Sequence, residues 1–199
     1  MDKDIKKIYD EVYNLFPKEG DERKDMYKKR SWIFPHHINI MLEMAEKLCE
    51  KYQGNLRICQ LAIILHDTGL VYNRSSDSSK GHEENSLKFA KIILTKYSLE
   101  MDEILECIKA TEVNFVPKTI NQKIVRTVDA LSQFKSIHFI AKATFSGNFD
   151  NYLPWLRFKI NKGFEKICFE DEKKEVEFIK KYFDEALRMY DFMQQTKIE

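Results

Sequence analysis

The chain has 199 residues, 43% of them hydrophobic and 13% aromatic, which is enough for a packed core and excludes a disordered protein. Its 33 basic and 32 acidic side chains leave a formal net charge of +1, so composition gives no general attraction to extended nucleic acid or to an anionic membrane. We find no apolar run approaching the roughly 20 residues of a membrane span and no signal-peptide core, which predicts a cytoplasmic protein.

The N-terminal segment combines one amphipathic helix with a charged stretch. Apolar residues recur with helical spacing over residues 5–16, and Pro17 and Gly20 end that pattern. Two lysines and an arginine at residues 28–30 close the charged stretch. We interpret this stretch as a solvated loop or short helix, although three cations beside a site would also suit a phosphate.

A second helix is predicted from Pro35, whose missing N–H is harmless in a first turn, to Gly54. His37 shares the apolar face of this helix with Met41. Its neighbour His36 points about 100° away, because an α-helix has 3.6 residues per turn. His37 is therefore the better candidate for an inward-facing side chain.

The next predicted helix, residues 55–68, ends in an adjacent histidine and aspartate. An apolar run leads directly into His66 and Asp67, and Gly69 stops the helix. A buried imidazole and carboxylate need a partner, because burying an unpaired charge is costly. A divalent cation would satisfy both groups at once. The alternative is a hydrogen-bonded core histidine followed by an aspartate that caps a turn.

Residues 71–81 are polar and serine-rich, and we interpret them as a surface loop that is either a plain connector or a lid over a nearby site. Helical patterns resume at His82. After Pro117 a further helix is predicted, with Asp129 inside its apolar stretch and Arg126 one turn before it.

The C-terminal third continues the helical periodicity to about residue 195. Its central helix, predicted over residues 149–169, is expected to be interrupted near residues 161–163, which include Gly163. We find no strand pattern and no linker between domains. The whole chain is therefore predicted to be all-α.

Three separate predicted helices each direct a metal-binding group inward: His37, then His66 with Asp67, then Asp129. Two neutral imidazoles and two carboxylates suit a divalent ion such as Mn, Fe, Co, Ni or Mg. Four protein ligands also leave positions for water and a substrate oxygen. The sequence thus predicts one divalent metal ion as the cofactor.

In this order on helices, these four residues resemble the H…HD…D signature of the HD-domain phosphohydrolase superfamily. Residues 65–69, Leu-His-Asp-Thr-Gly, are similar to the LHDxG segment of that family. The resemblance covers about residues 32–135. It implies an all-α HD-domain helical bundle with additional C-terminal helices. We expect one domain over residues 1–199, made of an N-terminal helix and charged segment (1–30), an HD core (31–135) and a C-terminal helical extension (136–199).

Members of this superfamily commonly hydrolyse phosphate esters or anhydrides. The resemblance therefore implies a metal-dependent phosphohydrolase in which metal-bound water attacks a small phosphorylated substrate, with a nucleotide favoured. Residues 80–83 also resemble the GHE segment of some members. There His82 would donate a proton to the leaving oxygen, contact a phosphate or bind an extra metal. Asp67, His82 and Lys80 are the predicted catalytic residues.

Two departures from the family pattern narrow the expected activity and the expected number of metal ions. Leu70 and Val71 stand where relatives that hydrolyse the guanosine alarmone carry a Glu-Asp pair, so that activity is not expected. Residues 109–112 lack the histidine of two-metal relatives, which favours a single metal. Substrate phosphate is then expected to bind to nearby cations, with Arg126 and Arg74 as the predicted substrate-binding residues.

The alternative is a non-catalytic HD-fold module that binds a nucleotide or a protein partner. The complete ligand set favours the enzyme, whereas Leu70 favours the module, because some deoxynucleotidases carry a glutamate at that position. Neither interpretation involves extended nucleic acid or a membrane as partner. Assembly of the chain into a homo-oligomer is left open.

Overall fold

A computed structural model describes residues 2–16, 31–72, 81–99, 101–146 and 148–195. Within these ranges all regular secondary structure is helical, so the predicted all-α class is confirmed. Among the helices of these ranges, none combines the length and the apolar character needed to cross a membrane.

Helices account for most of the described residues. In chain order they are α1 (Lys3–Tyr13), α2 (a π-helical turn, Phe34–Ile38, continuing as an α-helix, Asn39–Tyr52), α3 (Leu56–Leu65), α4 (Gly69–Tyr72), α5 (His82–Lys96), α6 (Asp102–Lys109), α7 (Ile120–Phe134), α8 (His138–Ser146), α9 (Phe149–Lys166) and α10 (Glu170–Gln195).

Helix α7 lies at the centre of the bundle. Nearly every residue from 121 to 134 is buried, and α7 packs against α2, α3, α6, α8, α9 and α10. A capping box fixes its start: Thr119 Oγ1 accepts a hydrogen bond from the Gln122 N–H (3.3 Å), and Gln122 Oε1 accepts one from the Thr119 N–H (3.1 Å). Asp129 is thereby carried into the middle of the protein.

The apolar core consists of two clusters that share α7. The first half of α7, including Ile124 and Val128, packs with residues of α1 to α6. Its second half, including Leu131 and Phe134, packs with residues of α8, α9 and α10. The C-terminal helices therefore pack on the same helix that carries Asp129. A single domain over residues 1–199, with the subdivisions given above, remains a prediction.

One sequence-based expectation about the C-terminal third is wrong. Helix α9 continues without a break through residues 161–163 and ends at Lys166. A Cβ atom on Gly163 would lie 3.2 Å from Cε2 of Phe134, so the glycine lets that ring approach α9 closely. Tertiary packing thus outweighs the low helix propensity of glycine.

Candidate metal centre

His37 enters the centre from the π-helical turn that opens α2. Pro35 stands in the first positions of that turn, where a missing N–H leaves no hydrogen bond unmade. The side chain of His37 is buried, with 3% of the residue exposed, whereas His36 is exposed. π-Helical turns are uncommon and occur frequently at functional sites.

His66 and Asp67 follow directly on the last turn of α3. His66 is the C-cap residue of this helix and is buried. The turn beyond it is held by Thr68, whose hydroxyl donates to the Leu65 carbonyl at 2.7 Å. Both side chains are thus fixed at the end of a rigid, buried helix.

Hydrogen bonds on the far side of each ring define the tautomers of the two histidines. Nδ1 of His66 lies 2.8 Å from the Ile63 carbonyl oxygen, so this nitrogen carries the proton. Nδ1 of His37 lies 2.7 Å from Ser132 Oγ. The Ser132 hydroxyl donates its own hydrogen to the Asp129 carbonyl at 2.8 Å and must accept from His37. Both Nε2 atoms therefore present lone pairs.

These two Nε2 atoms face each other at 3.3 Å, and two carboxylates lie beside them. Oδ2 of Asp67 is 3.5 Å from Nε2 of His37 and 3.4 Å from Nε2 of His66. Oδ1 of Asp129 is 3.6 Å from Nε2 of His37. Ligand atoms of His37, His66 and Asp129 all lie within 4.8 Å of one another.

The donor chemistry of this cluster fits a divalent cation. Two lone pairs and two carboxylates repel one another unless a positive charge lies between them. Holding each imidazole by its Nδ1–H, so that Nε2 points at the centre, is the usual arrangement of metal-binding histidines. His37, His66, Asp67 and Asp129 are thus the residues that would hold the metal ion.

Burial and charge keep these donors in the protonation states that bind metal. Burial lowers the pKa of His37 to about 4, so the ring is neutral at neutral pH. Burial opposes ionisation of Asp67, but His66, His37 and His82 outweigh it and lower the pKa of that carboxyl. At neutral pH no proton on His37 or Asp67 therefore competes with a cation.

A buried lysine that the sequence-based reasoning missed holds the second oxygen of Asp129. Lys166, the last residue of α9, donates from Nζ to Oδ2 of Asp129 and to the Thr111 carbonyl oxygen (2.6 Å for the latter). Burial by itself raises the pKa of Asp129, but Lys166 and then His37 outweigh it and hold that pKa well below its usual range. Only Oδ1 of Asp129 is left to face the two histidines.

Among protein families, the HD domain matches residues 36–133, which include all four of these side chains. The chain contains an HD domain. The resemblance predicted from the sequence is confirmed, and HD domains are typically those of metal-dependent phosphohydrolases. The comparisons with curated proteins and with solved structures gave no match.

A cavity of about 420 Å³ opens beside the centre of the HD domain, a size suited to one small ligand. His37, His66, Asp67 and Asp129 all line it. His82, the first residue of α5, lines it as well, and Nδ1 of His82 lies 3.2 Å from Oε2 of Glu83.

Gly69 explains how His82 comes close to the His66–Asp67 turn. Its N–H donates to Ser86 Oγ at 2.8 Å, and a Cβ atom at this position would lie 2.0 Å from the His82 carbonyl oxygen. Any side chain at this position would push the start of α5 away. The glycine of the LHDxG segment is thus required by the close packing of α4 on α5.

Gly69→Ala is expected to destabilise the protein by about 2–3 kcal/mol, because overpacking against backbone atoms forces the start of α5 to move. Chemical denaturation measures the change. Gly81→Ala is the matched control: nothing lies within 4 Å of its Cβ position, and its φ of +73° should cost only about 1 kcal/mol. Equal losses in the two variants would contradict the packing argument.

Arg126, which is predicted to bind substrate, does not line the cavity. It is buried, and its guanidinium donates to three carbonyl oxygens in the segment after α6: those of Ala110 (2.7 Å), Glu112 (2.5 Å) and Val113 (2.9 Å). Arg126 thus fixes the end of α6, and its role in substrate binding remains a prediction.

The other predicted cations, Arg74, Lys80 and those of residues 28–30, lie outside the described residues. Lys80 as a catalytic residue and Arg74 as a phosphate contact therefore remain predictions.

Arg126→Met is expected to lower the free energy of unfolding by about 3 kcal/mol and to leave bound metal unchanged, because three buried carbonyls lose a charged donor. Thermal or chemical denaturation measures the stability, and elemental mass spectrometry measures the metal. Lys123→Met, one turn earlier on α7, is the control and should change stability by no more than about 0.5 kcal/mol. A stable Arg126→Met protein with weakened substrate binding would support the prediction that Arg126 binds substrate.

Proposed function

We propose that the chain is a metal-dependent phosphohydrolase that cleaves a phosphate ester or anhydride of a small molecule, with a nucleotide as the favoured substrate. One observation carries the proposal: two imidazole lone pairs 3.3 Å apart, flanked by two carboxylates, line a cavity large enough for one small ligand. A divalent ion held there supplies Lewis-acid polarisation of a phosphoryl oxygen and lowers the pKa of a water molecule.

The charges around the cavity favour an anionic substrate. In the described part of the chain, equal numbers of carboxylates and lysines line it: Asp67, Glu83, Glu112 and Asp129, with Lys142, Lys159, Lys162 and Lys166. A bound divalent cation therefore leaves an excess of two positive charges when the histidines are neutral. A phosphate monoester dianion balances that excess.

Two side chains that line the cavity can carry the proton transfers of hydrolysis. Asp67, whose side chain is 17% exposed, reaches the cavity and can accept the proton of the attacking water as the new P–O bond forms. His82 in its protonated form, with its Nδ1–H held by Glu83, can donate the proton on Nε2 to the leaving oxygen as the old P–O bond breaks, which leaves the ring neutral.

Aromatic residues support a nucleotide over a simple phosphate ester. Trp32, Trp155 and Phe158 line the same cavity as the ligand cluster. A flat, partly polar base fits such a surface, because aromatic rings stack favourably on one another.

Phosphate release from a panel of nucleotides and simple phosphate esters tests the proposal, with Mn, Fe, Co, Ni or Mg added in turn. We expect turnover by the wild type. In Asp67→Asn the activity should fall by more than the roughly 10–100-fold loss that follows when a group that only orients a metal ligand is changed. Asp102→Asn, an exposed aspartate at the start of α6, is the matched control and should keep full activity.

The same panel separates the enzyme from the non-catalytic module. Suppose that calorimetry detects nucleotide binding by the wild type while no metal gives phosphate release. That result would refute the enzyme and support the non-catalytic module. Equal turnover in the wild type and Asp67→Asn would remove Asp67 from the catalytic residues.

A further inference from the structure

Part of the cavity wall comes from residues outside the HD match. Helix α9 contributes Lys159, Lys162 and Lys166, spaced three, four and seven residues apart. That spacing places the three lysines on one face of the helix. The cavity therefore combines ligands from residues 36–133 with a basic face from a later segment.

The lysines of this wall differ in what they already bind. Lys166 donates to Asp129 and to the Thr111 carbonyl. Lys162 is paired with Glu165 at 2.7 Å on the surface. Lys142, on α8, lies over the Trp155 ring with Nζ 5.5 Å from the ring centroid.

Lys159 is the remaining cation of this wall. Within the described ranges no carboxylate forms an ion pair with it, although it is only partly exposed. It lines the same cavity as the four residues of the proposed metal centre, and its charge acts on Asp129, on His37 and on Lys166. An unpaired ammonium beside a cation-binding centre attracts an anion that contacts both.

Two buried polar atoms in the same cavity also lack a partner among the described residues. They are Oε1 of Gln133 and Nδ1 of His138. The amide nitrogen of Gln133 donates to Oδ1 of Asp129 at 3.3 Å, so this side chain joins the metal centre to the open space. Buried polar atoms are almost always hydrogen-bonded, which indicates that a ligand or ordered water completes them.

We propose that Lys159 is the phosphate-binding residue of this site, and that it holds the dianionic phosphate group of the substrate against the metal centre. The inference rests on the proposed function for its substrate class and adds a binding residue from the C-terminal extension. The lysine Nζ donates to a non-bridging phosphate oxygen, and His138, with its proton on Nδ1, donates to the same group. Oε1 of Gln133, an acceptor, is completed by an ordered water or by a hydroxyl group of the substrate.

Calorimetric titration of the metal-loaded protein with inorganic phosphate tests this assignment without requiring turnover. Lys159→Met should weaken phosphate binding by about 10- to 100-fold, the effect of removing one charged hydrogen bond, and Lys159→Arg should restore most of it. Lys174→Met, an exposed lysine on α10, is the matched control and should bind phosphate like the wild type. Metal content and melting temperature should be the same in all four proteins.

The results of these measurements distinguish the role of Lys159 from the proposed hydrolase activity. Equal phosphate affinity in the wild type and Lys159→Met, or no phosphate binding by the metal-loaded wild type, would overturn the role of Lys159. If the wild type also hydrolyses a substrate, Lys159→Met should raise KM by a similar factor. Phosphate binding that depends on Lys159, without hydrolysis of any ester, would support the binding residue while refuting the enzyme.

Discussion

His37→Gln is expected to remove the bound metal ion, whereas His36→Gln should retain it. The two histidines are adjacent, but only His37 is buried and directs Nε2 at His66. We expect about one equivalent of a divalent transition metal in the wild type and in His36→Gln, and close to none in His37→Gln. Elemental mass spectrometry of the purified proteins gives the answer directly.

A thermal shift adds an equilibrium measurement to the metal content. A ligand at 100 times its Kd raises the free energy of unfolding by about 2.7 kcal/mol, or roughly 5–10 °C in melting temperature for a chain of this size. The wild type and His36→Gln should show this rise, and His37→Gln should not. Asp67→Ala, at a more exposed ligand, serves as a second variant in case His37→Gln does not fold. Metal retained by both ligand variants would refute the centre.

Lys166→Met is expected to destabilise the metal-free protein by about 3–5 kcal/mol, because the substitution leaves the buried Asp129 carboxylate without its cation. The Thr111 carbonyl loses a donor at the same time. Chemical denaturation of the metal-free proteins measures the loss. Lys162→Met, one turn earlier with its side chain 41% exposed, should change stability by no more than about 0.5 kcal/mol.

Metal should reduce the effect of this substitution. A cation between Asp129 and the histidines compensates the carboxylate, so the difference between Lys166→Met and the wild type should shrink when metal is present. If the loss were the same with and without metal, Lys166 would stabilise the fold without acting through Asp129.

The four side chains gathered at the candidate metal centre could be predicted because each lies in a local pattern. Helical periodicity placed His37 on the apolar face of α2 and His36 off it, and the structure agrees. His66 and Asp67 follow a continuous buried run, and Asp129 lies within another. A polar or charged side chain inside a buried helix needs a partner. The four residues could therefore be selected without any knowledge of tertiary contacts.

The basic wall that α9 adds to the cavity could not be predicted in the same way. Lys159 and Lys166 lie on an amphipathic helix whose lysines have the appearance of an ordinary solvated face, and nothing local reveals that this face covers a cavity. Arg126 shows the converse case. Its spacing from Asp129 indicated a shared site, but its guanidinium donates to carbonyl oxygens after α6 and it does not line the cavity, so its role in substrate binding remains a prediction. The position of the α9 lysines at the cavity and the contacts of Arg126 both depend on packing between segments far apart in the sequence.

The positions of the tryptophans give the molecule a built-in optical reporter. The chain has two tryptophans, Trp32 and Trp155, and both line the cavity. His138 lies between them, with its ring centroid 4.8 Å from that of Trp32 and 5.9 Å from that of Trp155. All the indole emission of the protein therefore comes from the walls of one site. Quenching by a paramagnetic ion or a stacked base would register occupancy without any label.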